Sequence, residues 1–168
     1  AVLCVAGFAS LGVLGLWDAG RRGFNQPDEL WSAVRQHFLA AQLPDGGWTY
    51  RKVNRSSSPT MTAAGVVSLV YALPSLDGKE DALARAREHR AVKRGLKLLP
   101  LAPSSPGAFG TRRGWWFDYY LVYSIERVGT VLGLDVADWY VPGATWLVEK
   151  QSADGSWGGG GGLVMPEP

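Results

Sequence analysis

The sequence predicts an all-α fold built from repeated antiparallel helical hairpins, and three observations carry that prediction. Apolar residues recur at three- and four-residue spacing, as in Leu121, Ile125, Val128 and Leu132. Glycine, proline and polar clusters break the chain at regular intervals. The stretch "QLPDGGW" (residues 42–48) returns as "QSADGSW" (residues 151–157), with Gln, Asp-Gly and Trp at identical internal spacing.

Six helices in three pairs follow. The first covers the uncharged opening "AVLCVAGFASLGVLGLW" and reaches about residues 18–22. It is barely long enough to span a bilayer and lacks the basic region and cleavage site of a signal peptide. It therefore reads as a helix buried on every side. The second opens at "NQPDELW", where Pro27 suits the first helical position and Asp28 and Glu29 suit the positive end of the helix. It ends near Gln42, and "RKVNRSSSP" is a polar loop.

The third helix, "TMTAAGVVSLVYAL", aligns Met61, Gly65, Ser68 and Ala72 on a face of mainly small residues, and Pro74 is expected to stop it. The fourth, "KEDALARAREHRAVKRGLKLL", is one charged helix with an inward stripe of Val92, Leu96 and Leu99. After the loop "PLAPSSPGAFGTRRG" comes the fifth, "WWFDYYLVYSIERVGTVLG". The sixth is expected to start after Asp138 as N-cap, because proline at 142 is tolerated only near a helix start. Residues 1–157 thus form one repeat domain, and 158–168, with five consecutive glycines and "PEP", a flexible end.

The two motifs lie 109 residues apart, and at that offset Trp31 meets Tyr140, His37 meets Trp146 and Gly20 meets Gly129. The whole first helix pair therefore repeats, around a middle pair that keeps only "KRGLKLL". The residue types describe a turn and a clasp. Asp45-Gly46 and Asp154-Gly155 supply turn chemistry, Gln42 and Gln151 carry amides suited to orphan backbone groups, and Trp48 and Trp157 close the turn on a neighbouring helix.

Chemistry is sparse. A net charge of +2 gives no reason to expect nucleic acid, and one cysteine, Cys4, excludes an internal disulfide and a Cys-rich zinc site. His37 and His89 fall on the second and fourth helices; His37 is expected to pack under its own turn and His89 to face water. Neither metal nor cofactor is expected. The fifth helix offers Trp115, Trp116, Tyr119 and Tyr123 as an aromatic lining for an apolar or cationic guest. Asp118 and Glu126 are its only acids and weak catalytic candidates, eight residues or ~80° apart around the axis. The competing reading makes the aromatics core and pairs both acids locally.

"WLVEKQSADGSW" and, with one residue fewer, "FLAAQLPDGGW" resemble the QW motif of triterpene cyclases and the prenyltransferase/squalene-oxidase repeat. "MTAAGVVSLVYAL" and "YYLVYSIERVGTVLGLDVADWY" look like bacterial members of that group, and the likeness runs over residues 11–157. It implies an α/α toroid with helices one, three and five inside and two, four and six outside. A full toroid has about twice as many helices, so the expectation is half a ring, a fragment of a larger one. It also implies an isoprenoid-like guest, docking at a membrane surface, and a cytoplasmic or membrane-associated location. The cyclase acid pattern Asp-x-Asp-Asp is missing, since "DVAD" (135–138) holds only two acids. The Asp, Cys and His that hold zinc in prenyltransferases have no counterpart set. A cyclase-like activity is thus not carried over, and a non-catalytic scaffold for protein partners stands as the alternative. A carbohydrate-active α/α barrel would need paired carboxylates across the cavity.

Overall fold

A computed structural model describes residues 6–50, 56–77, 81–101 and 115–157, with side chains placed except at 6–10, 75–77 and 115–118. The regular elements among the described residues are all helices, with no strand: α1 (Ala6–Arg21), α2 (Asp28–Ala41), α3 (Pro59–Asp77), α4 (Ala82–Glu88), α5 (Arg90–Leu96), α6 (Trp115–Leu132) and α7 (Val136–Lys150). The expected flexible end and the loop 102–114 lie outside them.

Helix α3 is the axis of the molecule. Every residue from Thr60 to Ala72 is buried, and α1, α2, α4, α5 and α6 all pack on it. Its small residues make this possible: alanines at 63, 64 and 72 and glycine at 65 let neighbours approach the backbone, while Val66, Leu69 and Val70 fill the space between them. Tyr71 lies against Trp17 of α1 with ring centroids 4.9 Å apart, and Trp17 meets the edge of Trp31 at 6.5 Å. Burial pushes the Tyr71 hydroxyl above its ordinary pKa, partly offset by the positive charge of Arg127.

Four expectations about elements are corrected. First, Pro74 sits inside α3. It removes only the N–H that would reach the Val70 carbonyl, and the helix carries on through a last turn. Second, the charged fourth helix is two helices. His89 is extended (φ −59°, ψ 132°), and its Nδ1 accepts from the Ala91 N–H at 3.3 Å, capping α5. It is half-buried at that cap instead of facing water, while His37 is exposed and edge-on to Phe38. Third, α7 starts at Val136, with Asp135 Oδ1 accepting from Ala137 N at 2.9 Å, so Pro142 falls within the helix. Pro27 likewise stands one place earlier than expected, as the N-cap of α2. Fourth, α1 is not buried on every side. Val13 is buried and Leu14, Leu16 and Trp17 pack on the core, but Leu11, Gly12 and Gly15 are exposed. No described helix is long and apolar enough to cross a membrane.

Candidate functional site

The two motifs fold into the same turn, bond for bond. Each Gln caps its helix in an extended conformation and bends its amide back to the turn: Gln42 Nε2 donates to Gly46 O and Gln151 Nε2 to Gly155 O, both at 2.8 Å. Each Asp accepts from the backbone two residues on, Gly47 N or Ser156 N, at 2.9 Å. The glycine after each Asp has positive φ, +103° at Gly46 and +83° at Gly155, which other L residues rarely adopt. Each indole N–H returns to the preceding helix, Trp48 Nε1 to Phe38 O at 2.8 Å and Trp157 Nε1 to Leu147 O at 2.7 Å. The motif therefore stores a structure in its own residues.

What differs is the seat. Trp48 is 1% exposed, and its ring lies over Gly65 of α3 so closely that an added Cβ would stand 2.3 Å from Cδ2. Gly95 of α5 gives way to the far edge of the same ring. Trp48 N donates to Thr62 Oγ1 at 3.2 Å, and Gln42 Nε2 also donates to Ala91 O at 2.9 Å, in the first turn of α5. The Arg94 guanidinium closes over the turn onto the carbonyls of Leu43 and Pro44. The first motif is thus a clasp joining α2 to α3 and α5. Trp157, by contrast, is 45% exposed, and Gln151, Asp154 and Gly155 are all exposed.

The carboxylates serve these turns. Asp45 is held below its usual pKa, first by the Gly47 N–H and then, against a small burial penalty, by Ser57 and Arg94. Asp154 is lowered likewise by the Ser156 hydroxyl and N–H. The lowered pKa fixes the sign of a pH effect. Ionised Asp45 contributes stability that is fully present above the unfolded value near 3.8 and is lost as pH falls through the folded value. Asp45→Ala should therefore cost roughly 1 kcal/mol at neutral pH, the worth of its backbone hydrogen bonds at an exposed site. In urea titrations the gap between wild type and variant should narrow below pH 4. A gap constant down to pH 2 would show that the charge contributes nothing.

The second candidate region is the concave face shared by α1, α3 and α6. Leu11, Ala63, Ala64 and Val67 form an apolar floor, and Tyr120, Tyr123 and Arg127 form a wall. The hollow they leave is small, about 30 Å³. Tyr120 and Tyr123 stack with centroids 6.4 Å apart, and Arg127 lies over the Tyr123 ring at 5.7 Å, a cation–π contact. Glu126 grips the Arg127 guanidinium through both oxygens, and Thr130 Oγ1 donates to Glu126 Oε1 at 3.1 Å. That pairing raises the Arg127 pKa and leaves the acid committed to its neighbour.

Of the residues singled out on the fifth helix, Tyr123 lines the hollow. Tyr119 packs instead on Trp146 of α7, with centroids 5.2 Å apart. The side chains of Trp115, Trp116 and Asp118 lie outside the described residues. Tyr120 and Arg127 were not singled out, although Tyr120, Tyr123 and Arg127 stand at three- and four-residue spacing on one helical face. A larger open groove of about 400 Å³ runs beside the α1–α2 connection, between Trp17, Arg21, Gln26 and Trp31. No group of three His, Cys, Asp or Glu among the described residues could hold a metal ion. Comparison with family models, with curated proteins and with solved structures finds no match for the chain.

Proposed function

We propose that this chain is a half-ring of the terpene-cyclase/prenyltransferase type, a set of helical hairpins whose concave face forms one wall of a site for an isoprenoid-like molecule. The acid catalyst of such cyclases has no counterpart in it, so the role is to bind and shape an apolar guest. The observation that supports this reading is the concave face itself. Its floor is aliphatic, its wall carries Tyr120 and Tyr123, and the charge of Arg127, which also lines it, is balanced by Glu126 behind it in the chain. Such a surface favours an apolar chain, while the Tyr123 face is already taken by Arg127. The present hollow is too small to enclose such a guest, so on this reading the site is an open wall that further helices complete.

Titration of the intact chain with a fluorescent farnesyl probe tests the reading. Saturable binding is expected, weakened at least fivefold by Tyr123→Ala and at least tenfold by Ala64→Glu, which places a charge on the floor. Absence of saturable binding, or equal binding by both variants, would overturn it.

A second reading, a scaffold for protein partners, is favoured by one specific observation. The exposed second clasp carries a half-exposed tryptophan, and the helix before it, α7, exposes Tyr140, Val141 and Val148.

A further inference from the structure

Helices α2 and α7 each carry a tryptophan as their fourth residue, Trp31 and Trp139, and the corners that lead into them differ in one respect. Both corners begin alike, with a glycine of positive φ, Gly23 or Gly133. The next residue's N–H then turns back to the preceding helix, Phe24 N to Ala19 O and Leu134 N to Gly129 O. Between that glycine and α7 stand two residues, Leu134 and Asp135. The Trp139 ring lies over Gly129, its N–H donates to Leu134 O at 3.3 Å, and the corner is closed. Between Gly23 and α2 stand four residues, from Phe24 to Pro27. Phe24 O, the counterpart of Leu134 O, is taken by the Gln26 amide at 3.0 Å. Trp31 is 6% exposed, yet its indole N–H has no acceptor among the described residues. It lines the open groove of about 400 Å³ beside this longer connection.

The lining states what such a groove would hold. Its volume lies within the roughly 300–1,000 Å³ of small-molecule sites. Trp17 and Trp31 stand at 82° to each other, an aromatic corner, and Gly20 adds no side chain to crowd it. Around the corner stand the Arg21 guanidinium, the Asn25 amide and the Asp28 carboxylate. None of these three side chains is hydrogen-bonded or ion-paired among the described residues. Gln26, its nitrogen fixed on Phe24 O, keeps its oxygen as an acceptor. One positive and one negative side chain balance, so the groove has no net pull on an ion. What remains is a set of planar donors and acceptors around two indoles. A ring with C–H faces and a rim of hydroxyls matches it, because each hydroxyl both donates and accepts. A purely apolar guest would leave the whole rim unpaired.

We infer that the groove between the end of α1 and the start of α2 binds a neutral saccharide, with a sugar face against the Trp17–Trp31 corner and a hydroxyl accepting from the Trp31 indole N–H. Asp28 and the Gln26 oxygen accept from further hydroxyls, and Arg21 donates to them. The site shares no lining residue with the concave face of α1, α3 and α6, so it stands whether or not that face holds an isoprenoid.

Titration of the isotope-labelled intact chain with cellobiose and with maltose, followed by NMR at the indole N–H signals and by calorimetry, tests the assignment. At least one of the two sugars should move the Trp31 signal saturably at millimolar concentration or below. Asn25→Ala and Asp28→Ala, both at exposed positions, should keep the circular dichroism of the wild type and weaken binding about fivefold or more, the worth of one hydrogen bond. Trp31→Phe, which keeps an aromatic ring and removes only the donor with part of the ring, should weaken it to a similar degree. Tyr123→Ala should leave sugar binding unchanged, which separates this result from the farnesyl titration. A Trp31 signal that neither sugar moves would overturn the proposal. So would sugar binding that is unaffected in both Asn25→Ala and Asp28→Ala. Saturable binding of leucine or inorganic phosphate in place of the sugars would overturn it as well, by making the groove a site for an amino acid or an anion.

Discussion

Trp48→Ala should cost about 3–5 kcal/mol of folding stability, the range for deleting a fully buried aromatic side chain, whereas Trp157→Ala in dilute protein should cost about 1 kcal/mol or less. The two residues have the same sequence context and the same indole bond to the preceding helix. The difference is entirely in what covers the ring: Gly65, Gly95 and Thr62 surround Trp48, and Trp157 is 45% exposed. Removing Trp48 leaves a void between α2, α3 and α5 that the rigid helix α3 cannot collapse to fill. A domain of this size has only about 5–15 kcal/mol of stability, so the variant loses a large part of it. Urea unfolding followed by circular dichroism measures both. Equal losses for the two variants would show that the seat contributes nothing beyond the turn.

The second large effect comes from a single methyl group. Gly65→Ala places a carbon 2.3 Å from Trp48 Cδ2 and 2.6 Å from Cε3, so a buried ring held by its indole hydrogen bond to Phe38 O must shift. Overpacking of this kind costs about 1–3 kcal/mol or more, against a helix-propensity gain of about 1 kcal/mol for replacing glycine. With the contact this short, overpacking dominates, and a net loss of about 2 kcal/mol is expected. Gly12→Ala provides the control with the opposite sign. It sits in an exposed helical stretch with nothing within 4 Å, so only the propensity gain of about 1 kcal/mol applies. The two sites also differ in coupling. In a Trp48→Ala background the clash is gone, and Gly65→Ala should turn neutral or stabilising. If Gly65→Ala remained as costly without Trp48, the close approach of ring and helix would be wrong.

Much of this was legible from the chain. The all-α class, the ends of α1 and α2, and the clasp role of Gln42, Asp45, Gly46 and Trp48 follow from residue type and spacing, because local geometry and turn chemistry are local properties. The break at His89 was not visible. "REHRAV" is made of residues that tolerate a helix, and the carbonyl in the first turn of α5 is engaged by Gln42, 49 residues away in sequence. Pro74 and Pro142 misled for a related reason. Proline predicts a lost hydrogen bond, and tertiary packing decides whether the helix ends there. On α6 the aromatic run was readable but its directions were not. Tyr119 turns to Trp146, while the concave face belongs to Tyr120, Tyr123 and Arg127. The uncharged run in α1 concealed an exposed face, because glycine satisfies an apolar pattern without needing cover.

Hydrogen exchange at the Trp48 indole N–H, followed by NMR, bears most directly on the proposition that the Gln/Asp-Gly/Trp turn pins α2 to α3 and α5. The indole should exchange only as slowly as the most protected amides of α3, since both open only when the helices separate. An indole that exchanges like a free tryptophan while those amides stay protected would mean that the turn opens alone and pins nothing.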